Sequence, residues 1–112
     1  MINVTTAEQG SAKVIAVTGE VDLYSSPKLR EALNGLTDTK EARIVVDMSG
    51  VSYMDSSGLA TLVEALQKTG GYKGAFSLAS VTPEVLSVFQ LSRLDQVFDI
   101  HETVDSAVSA EG

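Results

Sequence analysis

The order of apolar patterns along this chain predicts an α/β domain. It should have a small mixed sheet of about five strands, about four helices, and an antiparallel first strand. Three observations carry that expectation. Short, nearly continuous apolar runs alternate with stretches whose apolar residues fall at i, i+3, i+4 and i+7. Two of those helical stretches open on Ser-Pro or Thr-Pro, a common start because proline fits the first helical turn. The first two strand-like runs are separated only by the turn signal Gln9-Gly10-Ser11, too short for a parallel crossover.

Taken in order, Ile2 and Val4 alternate with polar residues, as in a half-exposed edge strand. Lys13–Thr18 is nearly all apolar, as in a buried strand, and Gly19 should end it. Glu20–Ser25 reads as a loop. Ser26 should cap a helix that places Leu29, Ala32, Leu33 and Leu36 on one face. Arg43–Met48 is a second buried strand. Leu59, Leu62, Val63 and Leu66 mark a helix over 57–69, and Gly70-Gly71 supply its stop. Ala75–Leu78 is a third core strand. Thr82-Pro83 opens a helix bearing Val85, Leu86 and Phe89. Val97–Ile100 is a short last strand, and Thr103 caps a final helix with Val104, Ala107 and Val108. The terminal Ser109–Gly112 should fray. Strands alternating with helices imply βαβ units with right-handed crossovers.

Composition narrows the function. The 112 residues suit one domain over 1–112, and a hydrophobic fraction of 44% suffices for a single core. The absence of cysteine excludes disulfides, thiolate metal sites and cysteine nucleophiles. The formal charge is −7, and the basic residues are scattered, which disfavours nucleic-acid binding. An acidic surface suits a basic protein partner, or simply solubility. MINVTTAEQG lacks the basic start and apolar core of a signal peptide, and no run approaches a membrane span of roughly 20 residues. A cytoplasmic monomer without membrane association is expected.

Chemistry concentrates in Asp47–Leu62, DMSGVSYMDSSGLATL, which runs from a strand end through a loop into an amphipathic helix. Asp55, Ser56, Ser57 and Gly58 sit at the helix entry. Ser and Asp there commonly cap the free N–H groups of the first turn. A hydroxyl in the same place also suits phosphorylation, because exposed amides and the helix dipole tolerate a dianion. Loops following consecutive parallel strands converge outside their carboxyl ends. Asp22 and Tyr24 should therefore lie beside Tyr53, Asp55 and Ser56, with both tyrosines suited to an interface. Asp22 as a turn former and Tyr53 and Met54 as core anchors are the plain alternatives. An enzyme is not expected. His101 is the lone histidine, GxSxG is absent around Ser56, no GxxxxGK[ST] occurs, and Asp47 and Asp55 do not make a cation site. No cofactor or metal is implied.

The chain resembles the STAS-domain anti-sigma factor antagonists. GEVDLYSSPKLREAL at 19–33 and VVDMSGVSYMDSSGLATL at 45–62 carry the resemblance, the second being similar to the family's phosphorylation-loop signature. Ala60 departs from the glycine usual after Leu59. The resemblance implies partner switching. The dephosphorylated form binds an anti-sigma factor that is also a serine kinase of the ATPase fold, and sigma factor is released. Phosphorylation of Ser56 reverses this, and a metal-dependent serine phosphatase restores it. Asp22, Tyr24, Asp55, Ser56, Ser57 and Gly58 would form the partner-binding edge. A STAS adaptor of a transporter or signalling scaffold, or a module binding a nucleotide or lipid, are the alternative functions.

Overall fold

The computed structural model of the chain describes residues 2–110. Its strands are β1 (Ile2–Gln9), β2 (Ala12–Val21), β3 (Arg43–Met54), β4 (Ala75–Ala79) and β5 (Asp99–His101). Its helices are α1 (Ser26–Asp38), α2 (Ser56–Gly71), α3 (Pro83–Leu91) and α4 (Val104–Ser109), with a 3-10 turn at Leu94–Gln96. The sheet order is β1-β2-β3-β4-β5. β1 and β2 pair antiparallel, and every other pair is parallel. The mixed α/β sheet expected from the sequence is therefore present.

Strand alternation divides the core. Ile15, Val17, Ile44, Val46, Met48, Phe76 and Leu78 face one side, where they meet Leu29 and Leu33 of α1, Leu59 and Leu62 of α2, and Val85 and Phe89 of α3. Phe89 is completely buried and meets Phe98 edge-on, with ring centroids 5.6 Å apart. The opposite face is covered by α4, whose Ala107 packs on Ala12, Val14, Val45 and Ala79. Small residues on both sides let this short helix lie close to the sheet.

Several boundaries differ from the sequence reading. Gly19 does not end β2. It adopts φ +106 inside the strand, next to a register shift, and β2 runs on to Val21. β3 likewise continues from Met48 to Met54, turning the expected loop into strand. Gly50 is needed there, because a Cβ would come within 2.5 Å of Thr18 Cγ2. β4 stops where Ala79 pairs with Asp47. Beyond that level β3 pairs only with β2, which stays paired with β1 as far as Gly19, and the bulged β2–β3 arm ends with Val21 opposite Met54 at its tip.

The helix ends also shift. Ser25, not Ser26, occupies the cap position of α1. α2 passes through Gly70 and Gly71, and the left-handed residue after it is Lys73. The last strand starts at Asp99 because 94–96 form a 3-10 turn. Ser109 belongs to α4, and Arg43 Nη2 donates to the Ala107 and Ala110 carbonyls at its end. The fraying expected of Glu111 and Gly112 lies outside the described residues.

Candidate functional site

The tip of the β2–β3 arm builds the site. Asp22 follows Val21 and Asp55 follows Met54, and the Asp55 amide donates to the Val21 carbonyl at 3.2 Å. This bond ties the two loops together. The Asp22 turn is thereby joined to the start of α2 across more than thirty residues of sequence, and Asp22 and Tyr24 line one groove with Ile2, Ser25 and Lys28.

Asp55 is the N-cap of α2. Its extended backbone turns the carboxylate back, so that Oδ1 accepts from the Ser57 amide at 2.9 Å and the Gly58 amide at 3.4 Å. The cap is therefore a carboxylate, and neither serine hydroxyl fills that role. Ser56 is the first helical residue and is exposed. Among the described residues its hydroxyl has no hydrogen-bond partner. Ser57 is half-buried, and its carbonyl accepts from Thr61 Oγ1. Gly58 is buried rather than displayed on the edge. A Cβ there would sit 2.7 Å from Met54 Cγ and 2.8 Å from Val21 Cγ1. Its missing side chain lets the first turn of α2 rest on the arm, and this sets where Ser56 projects.

The Asp22 loop is organised by its own hydrogen bonds. Asp22 Oδ1 accepts from the Tyr24 and Ser25 amides, each at 3.0 Å. Ser25 Oγ donates to the Glu20 carbonyl at 2.8 Å and accepts from the Asp22 amide at 2.9 Å. The Ser25 amide, with further help from the Ser25 hydroxyl and the Tyr24 amide, holds the Asp22 carboxyl below the usual carboxylate range. Asp22 is thus a turn former as well as a charged edge residue. The turn holds Leu23 and Tyr24 outward, 65% and 90% exposed, although such side chains gain from burial. Tyr53 on the arm is 49% exposed, whereas Met54 is buried as a core anchor. Leu23 was not singled out from the sequence. Its signal was an apolar residue inside an otherwise polar turn.

Other candidates fall elsewhere. Asp47 lies inside β3 rather than at a strand end, and its Oδ1 accepts from the Ser49 amide at 3.0 Å. His101 ends β5 and meets Asp99 Oδ2 at 3.0 Å. Among the described residues there is no cluster of His, Cys, Asp or Glu able to hold a metal ion, and no helix long and apolar enough to cross a membrane.

Residues 3–107 match the family model of the STAS domain. The chain belongs to the STAS domain family. It is 29% identical over 107 residues to the anti-sigma-B factor antagonist of Bacillus subtilis, covering 96% of this chain and 97% of that one. It is 32% identical over 87 residues to the protein of the same name in Listeria monocytogenes, covering 77% and 75% of the two chains. In three dimensions it superposes on the crystal structure of an anti-sigma factor antagonist from Mycobacterium paratuberculosis with a TM-score of 0.90 at 27% identity, covering 97% and 92%. These similarities bear out the family resemblance and the STAS fold read from the sequence.

Proposed function

We propose that this STAS protein is an anti-sigma factor antagonist switched by phosphorylation of Ser56. The observation that carries the reading is the placement of an exposed, unbonded serine at the first position of α2, beside the Asp22–Tyr24 turn. The names of its relatives supply the partner class, an anti-sigma factor. In this reading the anti-sigma factor is also a serine kinase of the ATPase fold. It docks on Leu23, Tyr24, Tyr53 and the acidic edge of Asp22 and Asp55, and sigma factor is released.

Phosphoryl transfer moves the γ-phosphoryl group of ATP to Ser56 Oγ. The hydroxyl loses its proton, and ADP leaves. The product carries an added charge of about −1.5 to −2. A phosphate at a helix start ordinarily takes the free amides of the first turn. Here Asp55 already holds the Ser57 and Gly58 amides. The phosphate therefore stays outside the helix end, on the docking edge and next to a carboxylate. Burying it in an interface without new donors costs several kcal/mol, and each 1.4 kcal/mol is a tenfold loss of affinity. A metal-dependent serine phosphatase reaches the same exposed group and resets the switch.

The test is titration calorimetry of the protein with its anti-sigma factor, using unmodified, phosphorylated and Ser56→Ala forms. Binding by the unmodified and Ser56→Ala forms, with loss on phosphorylation, supports the switch. Equal affinity of all forms would refute it.

A further inference from the structure

We infer that β1 is a self-association edge: two copies of this chain pair their β1 strands antiparallel about a two-fold axis centred on Thr5. β1 is the outer strand of the sheet, eight residues long, in an unbroken register with β2. It contains neither the proline nor the bulge that usually protects such an edge.

Two observations fix which backbone groups face outward. The two-residue turn Gly10-Ser11 joins Gln9 to its partner Ala12, and the pair flanking such a turn exchanges hydrogen bonds. By the period of two, Asn3, Thr5, Ala7 and Gln9 bond to β2, while the amides and carbonyls of Ile2, Val4, Thr6 and Glu8 point away from it. Consistent with this, the Ile2 carbonyl accepts from Lys28 Nζ of α1 at 3.1 Å rather than from β2. Both place the even residues on the free edge.

This parity makes the strand self-complementary. With Thr5 opposite Thr5, Val4 meets Thr6 and Ile2 meets Glu8 of the second copy as hydrogen-bonded pairs, and Asn3 meets Ala7. No like charges oppose, and Thr–Thr is a favourable cross-strand pair. Charge complementarity completes the match. The second copy's Glu8, paired in its own chain with Lys13, arrives at Ile2 beside Lys28, and its amide replaces Lys28 on the Ile2 carbonyl. Beside the edge, an open groove of about 490 Å³ runs from Ile2 and Lys28 to Asp22, Tyr24 and Ser25, and one of about 350 Å³ borders Val4, Lys28, Glu31, Ala32 and Gly35. A Cβ at Gly35 would meet nothing within 4 Å, so α1 leaves room for the second copy's helix along the seam. Ser56 opens α2 after β3, two strands from the seam, whereas Asp22 and Tyr24 share the groove at its Ile2 end. One strand pairing is a small interface, and the dimer is weak and concentration-dependent.

The register gives a sharp test, because the chain has no cysteine of its own. Thr5 faces Thr5 as a non-hydrogen-bonded pair, where Cα atoms lie about 4.5 Å apart, within disulfide range. With diamide as oxidant, Thr5→Cys should form a disulfide dimer about tenfold faster than Asn3→Cys or Ala7→Cys alone, through the raised effective concentration. Mixed Asn3→Cys and Ala7→Cys should give the heterodimer. In sedimentation velocity, the unmodified chain should dimerise with rising concentration, and Thr6→Pro, which removes only an outward amide, should stay monomeric with its circular dichroism retained. Lys28→Glu, which leaves the Glu8–Lys13 pair of each copy intact, should weaken the dimer. Thr5→Cys cross-linking no faster than Asn3→Cys would overturn the proposal, as would a wild-type chain that stays monomeric up to about 1 mM, a concentration equivalent to roughly −4 kcal/mol of binding.

Discussion

Replacing Asp55 by alanine tests how the start of α2 is built. The Asp55 carboxylate accepts from two amides, Ser57 and Gly58, that have no partner within the helix. Removing a cap of this kind costs about 1 kcal/mol, within a range of 0.5–2. At roughly 2.1 cal/mol/K per residue, a chain of 112 residues has an unfolding entropy near 0.24 kcal/mol/K, so the loss lowers Tm by about 4 °C. Asp55→Asn keeps the amide-accepting oxygen and should lose well under half of that. Phosphorylation adds a second arm. In the wild type the phosphate finds the Ser57 and Gly58 amides already held by Asp55, so modification should raise Tm little. In Asp55→Ala those amides are free for the phosphate, and modification should recover part of the lost Tm. Scanning calorimetry of the four forms closes the cycle. An Asp55→Ala protein that melts with the wild type, or a phosphorylated wild type that melts well above the unmodified one, would refute this account of the cap.

Other predictions follow from the same contacts. Gly58→Ala gains helix propensity but forces a Cβ against Met54 and the fully buried Val21, so chemical denaturation should show a net loss of about 1 kcal/mol. Ser56→Ala and Ser57→Ala should each change stability by less than about 0.5 kcal/mol, because Asp55 supplies the cap and neither hydroxyl does. Asp22→Ala should loosen the Leu23–Tyr24 turn and weaken partner binding in calorimetry, whereas Asp22→Asn keeps the amide acceptor and should retain most of it. The carboxyls of Asp22, Glu8 and Glu64 all titrate below their usual range, through the Ser25 amide, Lys13 and Arg30 respectively. Their contributions are present above the unfolded-state carboxylate values and disappear as pH falls through the lower folded ones. Thermal melts should hold steady from pH 7 to about 5 and fall at more acid pH.

The elements with a dense apolar repeat were legible in the sequence. Leu29, Leu33, Leu59 and Leu62 specify their helices by spacing, and Ile15, Ile44 and Leu78 specify buried strands. The β2–β3 arm was not legible. Its outward residues Thr18, Glu20, Ser49 and Ser52 are polar and exposed, and glycines at 19 and 50 look like breakers. Those glycines serve the bulge instead, and Val17, Val21, Val51 and Met54 anchor its inner side. At the site, the Asp-Ser-Ser-Gly run announced a helix entry but left the capping residue open, since Asp55 and both serines suit the position chemically. The bond from the Asp55 amide to Val21 decides the convergence of the two loops, and such a pairing across strands leaves no local signal. The same holds for the β1 edge, where Lys28 meets Ile2 across 26 residues.

The central claim is that Ser56 is the residue that switches partner binding. Its most direct measurement is phosphosite mapping by mass spectrometry after the wild type, Ser56→Ala and Ser57→Ala are each incubated with the cognate anti-sigma factor and ATP. The account predicts phosphate on Ser56 in the wild type and in Ser57→Ala, and none on Ser56→Ala, which still binds the anti-sigma factor. Robust phosphate on Ser57 of the Ser56→Ala protein would contradict it.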